Sequence, residues 1–152
     1  MIEPNKKNKN IRSEKDPLEF NIHENFMISG IGIVVSGLVK AGTASIGDKL
    51  LLGPGKDKMF REVIVKSIHQ NRDTVQSVKA GQLACLNIRA RGKNKETLNR
   101  SDIRKGMSII YTVKNTEPVW EFEADVVILN HATTVKAGYN AVAHIGVIRQ
   151  AV

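Results

Sequence analysis

The 152-residue sequence predicts an all-β protein, and two features of its pattern support this. Four glycines, Gly32, Gly37, Gly42 and Gly47, recur every five residues. This spacing disfavours a helix of several turns, because each interior glycine costs about 1 kcal/mol relative to alanine. Apolar and polar residues also alternate along several segments, such as 84–89, which is typical of half-buried strands. Many short strands divided by turns indicate a barrel or a sandwich.

The alternation predicts eight strands in two groups. The first six lie near 20–28, 33–41, 49–53, 60–70, 82–90 and 108–113, and the last two near 119–130 and 140–150. Six strands suffice to close a small Greek-key-like β-barrel, whereas two strands bury too little apolar surface to be stable alone. We therefore divide the chain into a basic linker at 1–18, a closed barrel at 19–113 and an incomplete second β-barrel at 118–152.

The chain stops at Val152 within an apolar segment, so we expect a fragment cut inside its second β domain. An incomplete barrel leaves unpaired strand edges and exposed apolar faces. We expect this last region to be disordered, to pair with another copy of the chain, or to swap strands with it.

The net charge of +8 is concentrated in two stretches. Residues 89–105 carry seven cationic and two acidic side chains, and residues 1–16 carry five and three. Clustered cations attract a polyanion by releasing its counterions. The sequence therefore predicts a basic rim for nucleic acid, formed by Arg89, Arg91, Lys93 and Arg104. The alternative is that the two cationic stretches form a solvated loop and a solvated tail without a binding role.

Motifs for catalysis and for cofactors are missing from the sequence. There is no Gly-x4-Gly-Lys-Ser/Thr phosphate-binding loop, no Asn-Lys-x-Asp and no Gly-x-Ser-x-Gly. The four histidines and Cys85 lack metal-ligand spacing. We predict no catalytic residue, no metal and no cofactor in this segment. A lone cysteine and the absence of a secretory signal favour a cytoplasmic protein without membrane partners.

One glycine-rich block resembles the second domain of translational GTPases of the elongation factor Tu type. The matching residues are Phe26, Ile28, Gly30, Gly32, Val34, Gly37, Val39, Gly42, Gly47 and Asp48. The phrases Val-Lys-Ser-Ile-His, Ile-Arg-Lys-Gly-Met and Trp-Glu-Phe-Glu-Ala are similar to those of the GTP-binding protein 1 and 2 group. The resemblance implies a missing GTPase domain that binds GTP and magnesium, with tRNA or another RNA and the ribosome as partners.

The resemblance also implies a site for the aminoacyl end of tRNA. It places the amino-acid pocket at His23, Glu24, Phe26 and Ser36, with Asp102 against the terminal adenosine and Lys105 in place of an arginine. A nucleotide end needs cations for its phosphates and an apolar floor for its base, which we assign to Phe26 or Val39. The alternative is that Phe26 packs in the core. Structural turns are expected at Gly30, Gly32, Gly37, Gly42, Gly47, Gly81 and Gly106.

Three functions remain open from the sequence. The first is binding of the 3′ end of tRNA or another RNA, coupled to the GTPase domain. The second is an intramolecular coupling or protein-interaction module without RNA contact. The third is a stand-alone basic barrel that binds nucleic acid without specificity.

Overall fold

The computed structural model describes residues 13–91, 98–111, 118, 121, 123–129, 136 and 138–151. The all-β prediction is confirmed, because the described residues contain eleven strands and a single-turn 3-10 helix at Arg100–Asp102. The strands are β1 Glu19–Ile28, β2 Gly32–Ala41, β3 Thr43–Ser45, β4 Lys49–Gly53, β5 Arg61–Gln70, β6 Asp73–Val75, β7 Ser77–Lys79, β8 Leu83–Ala90, β9 Ser108–Tyr111, β10 Val142–Ile145 and β11 Ile148–Ala151.

Six of these strands close into an antiparallel barrel, as predicted. Their order is β4-β9-β1-β2-β8-β5, and β4 also pairs with β5 to complete the ring. β6 continues the sheet beyond the end of β5, while β3 and β7 pair with each other. Closure leaves the backbone groups of the ring paired on both sides over much of its length, so few edges remain open.

The barrel interior is filled by apolar side chains, most of them aliphatic, at alternating positions along the strands. Phe20, Ile22, Val35, Leu86 and Ile109 are all fully buried. No buried residue among those described is polar or charged. Each such side chain contributes about 1.5–3 kcal/mol by leaving water. The core therefore supplies packing, and the chemistry of the barrel lies on its outer face.

The prediction of a turn at Gly37 is wrong, because Gly37 lies within β2 and is paired with Ile22. A Cβ built there would collide with the backbone carbonyl of Asn21 and would lie 3.0 Å from the Phe20 ring. Glycine is required at this position for close approach of two backbones. The other six predicted glycines all have positive φ, between 72° and 102°, which side chains with a Cβ rarely adopt.

The last part of the chain departs from the predicted strands. Residues 121 and 123–129 form no strand, so the prediction for 119–130 is wrong over the described residues. Alternation alone does not make a strand, because the backbone N–H and C=O groups of a strand need hydrogen-bond partners on a neighbouring strand. Val126 and Leu129 are 81% and 93% exposed, as expected for apolar residues without a partner layer.

Region 140–150 also differs, because it is a hairpin of β10 and β11 around Gly146. The three-residue strands β3, β6 and β7 were missed, since three residues are too few to show a period. The predicted boundary at 113–118 lies outside the described residues except for Pro118, and the predicted linker is described only from residue 13.

Substitution of Gly37 by alanine should destabilise the barrel by about 2–4 kcal/mol, because β1 and β2 must move apart to admit the new Cβ. Urea denaturation followed by fluorescence of the chain measures this loss. Ser36→Ala, one residue earlier on the outer face, is the control and should change stability little. Equal stability of the two variants would contradict the close approach.

Candidate functional site

The antiparallel register aligns side chains in rows across the outer face of the barrel. Glu24 of β1 is paired with Ser36 of β2, which is paired with Cys85 of β8. Cys85 is in turn paired with His69 of β5. Because residues flanking this row, such as Leu86, point into the core, the row itself points outward. Four residues from four strands thus stand side by side.

A β-bulge adds one more side chain to this row. The pairing of β1 shifts between Ile22, opposite Gly37, and Glu24, opposite Ser36, so His23 is an extra residue without its own partner. A bulge re-aims side chains that would otherwise alternate. His23 and Glu24, although consecutive in sequence, therefore both line the same groove.

The groove over this row is open and has a volume of about 540 Å³. Its chemistry is mixed, since it offers one carboxylate, one ammonium group, two imidazoles, a hydroxyl, an amide and a thiol. The Nδ1 atom of His69 lies 3.5 Å from the hydroxyl of Thr74 on β6. The lining residues are His23, Glu24, Ser36, Gly37, His69, Asn71, Leu83, Ala84, Cys85, Lys105 and Val147.

The next two rows carry apolar side chains. Phe26 is paired with Val34, and Ile28 with Gly32, so Phe26, Ile28 and Val34 share the outer face. We call these three residues the apolar shelf. Phe26 and Ile28 are each 41% exposed, which excludes the alternative that Phe26 packs in the core. Asn87 of β8 is paired with Val34, so it lies in the row of Phe26. Its Nδ2 donates to the carbonyl oxygen of Ile31, in the turn between β1 and β2, at 3.4 Å.

The assignment of Val39 to the apolar floor is wrong, because Val39 is fully buried in the core and cannot contact a bound base. It lies on the inward side of β2 together with Val35 and Ile33. Val34 lies on the outward side of β2 but is only 8% exposed, so Phe26 and Ile28 supply the exposed surface of the apolar shelf. The sequence does not show which valine faces outward, because Ile33, Val34 and Val35 are three consecutive apolar residues. All three are buried, so no apolar–polar alternation marks the two sides of β2 there.

Asp102 and Lys105, close in sequence, are separated by the fold. Lys105 lines the groove. The Asp102 carboxylate instead accepts a hydrogen bond from the Asn99 backbone N–H at 3.0 Å and lies 3.5 Å from the Arg61 guanidinium. Asp102 thus joins the 3-10 helix to β5 and does not line the groove.

The predicted basic rim is partly described. Arg89 is paired with Ile64 of β5, and Arg104 immediately precedes Lys105. Both are exposed and form no ion pair with any residue that the structure describes. Arg91 lies 3.9 Å from Glu62, an exposed pair of little strength. Lys93 lies outside the described residues.

Sequence reasoning missed three polar residues of the groove, His69, Asn71 and Cys85. They lie far from His23 in the chain and reach it only through the register of β2, β8 and β5. That register includes a second bulge, between Val65 and Ser67, which no sequence pattern indicates. One sequence signal was available for Cys85, because the apolar–polar alternation of residues 83–90 places it on the outward side of the strand.

Metal and membrane features are not found in the part of the chain that the structure describes. No group of three or more His, Cys, Asp or Glu residues there is placed to hold a metal ion. None of its helices is long and apolar enough to cross a membrane.

Asp57 and Arg61 form a pair beside Asp102, with an oxygen-nitrogen distance of 3.2 Å. The Met59 backbone N–H, which donates to this carboxylate, lowers the pKa of Asp57 below its ordinary value of 3.8, and the Arg61 charge adds to the shift. A carboxyl whose pKa is lower in the folded state contributes stability above its unfolded pKa and loses it as pH falls through the folded pKa.

Asp57→Asn should therefore reduce stability at pH 7, and the difference from the unmodified chain should shrink below about pH 3.8. Urea midpoints at pH 7, 4 and 3 measure it. Asp73→Asn is the control, because its carboxylate makes no ion pair among the described residues. A constant difference at all three pH values would contradict the shift.

Comparison with known proteins gives several relatives. GTP-binding protein 1 of Xenopus laevis is 39% identical over 137 residues, which cover 90% of this chain and 20% of that protein. Human GTP-binding protein 2 is 35% identical over 87% of this chain and 21% of its own length. Elongation factor 1-alpha of Methanocella arvoryzae is 34% identical over 84% of this chain and 28% of its own length.

A solved structure supports the fold. Translation elongation factor SelB from Methanococcus maripaludis, in its apo form, superposes with a TM-score of 0.56 at 24% identity. The match covers 67% of this chain and 20% of that one. No family model matches the chain. The chain spans between a fifth and a third of the length of the curated relatives that it matches.

Proposed function

Because this chain is a domain of the translational GTPase type, similar to GTP-binding proteins 1 and 2, we propose that its outer face binds the 3′ end of tRNA or another RNA. The proposal includes coupling of this binding to a GTPase domain elsewhere in the whole protein. That domain would hold GTP and magnesium, and the whole protein would act on the ribosome in the cytoplasm. The division into a barrel at 19–113 and a further β domain from 118 remains a prediction.

The observation that carries the proposal is the adjacency of the groove and the apolar shelf. The rows of Glu24 and Phe26 are two residues apart along β1, which is about 7 Å. A base lying on the shelf would leave the ribose substituents over the groove. The exposed face of Phe26 is suited to base stacking, which is worth about 1–3 kcal/mol per base.

The groove itself is suited to a polar group attached to that ribose. The Glu24 carboxylate can accept from an ammonium group, and the Ser36 hydroxyl can donate or accept. His23 and His69 flank them on β1 and β5. This set of donors and acceptors supports recognition of an esterified amino acid.

The arginines at the margin supply affinity without sequence preference. Arg89 and Arg104 are exposed and are free of carboxylate partners among the described residues, so their charges are available to phosphates. Phosphate contacts position a nucleic acid, while the shelf and groove select its end.

Reversal of two charges, Arg89→Glu with Arg104→Glu, should weaken tRNA binding at least tenfold at low salt and lower the salt slope by about 2. Fluorescence anisotropy of labelled tRNA across a salt series measures both quantities. Lys49→Glu with Lys56→Glu, at two exposed lysines of β4 and the β4–β5 loop that do not line the groove, is the control with the same change in net charge. Unchanged affinity in the double variant would favour the coupling module without RNA contact.

Phe26→Ala should weaken binding of tRNA about tenfold, because a stacked base loses its aromatic surface. Affinity for the same tRNA without its terminal nucleoside should not change. Met59→Ala is a matched control, since Met59 is 61% exposed and lines neither the groove nor the shelf. An equal loss with both RNAs would show that Phe26 does not contact the 3′ end.

A further inference from the structure

The turn between β5 and β6 has a residue that its backbone geometry does not favour. The last pair of this hairpin is Gln70 and Asp73, so the turn consists of Asn71 and Arg72 alone. Their φ angles are 51° and 75°, as a two-residue turn of type I′ requires. Asparagine tolerates the first position, but the second is normally glycine, because a Cβ disfavours positive φ.

The strained turn stands at one side of the groove. Asn71 lines the groove, as does His69 two residues earlier. Lys105 lies on the opposite side, because the next residue, Gly106, donates its backbone N–H to the carbonyl of Ile22 on β1. Arg72 is exposed and forms no ion pair with a described residue. The groove thus has a lysine in its lining on the β1 side, and on the β5 side Arg72 directly follows the lining residue Asn71.

We propose that Arg72 binds a backbone phosphate of the RNA whose end occupies the groove, and that the strain of the turn is retained for this contact. Non-glycine residues at positive φ persist where the surrounding structure and function maintain them. A guanidinium presents a planar fork that matches phosphate oxygens, which no glycine at this position can supply. This inference deepens the proposed function and rests on it.

The test compares two glycine substitutions in the full 152-residue chain. Arg72→Gly and Lys58→Gly each remove a cation with positive φ, 75° and 62°, and Lys58 lies in a turn that lines no part of the groove. Relief of backbone strain should raise the melting temperature of both variants by about 2–4 °C. Arg72→Gly should also weaken tRNA binding about tenfold and lower the salt slope by about 1, beyond any effect of Lys58→Gly.

A third variant, Arg72→Lys, separates charge from geometry. It keeps the positive charge but loses the fork, so its affinity should lie between those of the unmodified chain and Arg72→Gly. Arg72→Gly binding as tightly as Lys58→Gly would overturn the role of Arg72 and leave the proposed function intact. A fall in the melting temperature of Arg72→Gly would overturn the retained strain. No tRNA binding by the unmodified chain would overturn the proposed function and this inference together.

Discussion

The pairing of β1 with β2 is the constraint on which the outer face depends. Nine residue pairs join these strands, and the ladder is continuous apart from its two irregularities. Gly37 permits the close approach at its centre, and the bulge at His23 follows directly. Because a shift of one residue would exchange inner and outer faces, this register decides which side chains reach the groove. The same register brings Cys85 and then His69 into the row of Glu24.

The sequence alone was sufficient to predict the barrel strands, and it was insufficient to predict the structure after residue 118. The spacing of Gly42 and Gly47 reflects the turns that end β2 and precede β4, and the alternation along 83–90 reflects a face buried in a core. These are local effects, so a local pattern records them. The region 123–129 has similar alternation, but a strand also requires a neighbour, and pairing is a property of two segments.

The site shows the same division between local and non-local information. His23, Glu24, Ser36 and Lys105 were identified through the resemblance of their local motifs to the elongation factor Tu family, and all four line the groove. Val39 and Asp102 were placed by sequence position, whereas strand facing puts one in the core and an ion pair holds the other beside Arg61. His69 and Cys85 enter through pairings between distant strands, which a single sequence does not encode in readable form.

The closure of the ring has a consequence for synthesis of the chain. β1 is completed by pairing with β9, so residues near 20 must wait for residues near 110 before their outer edge is covered. Contacts of such long sequence separation form late and slow folding. On a translating ribosome the emerging strands would remain an open sheet until Tyr111 has left the exit tunnel. During that interval the apolar interior is accessible to chaperones, and a pause in translation before β9 would prolong its exposure.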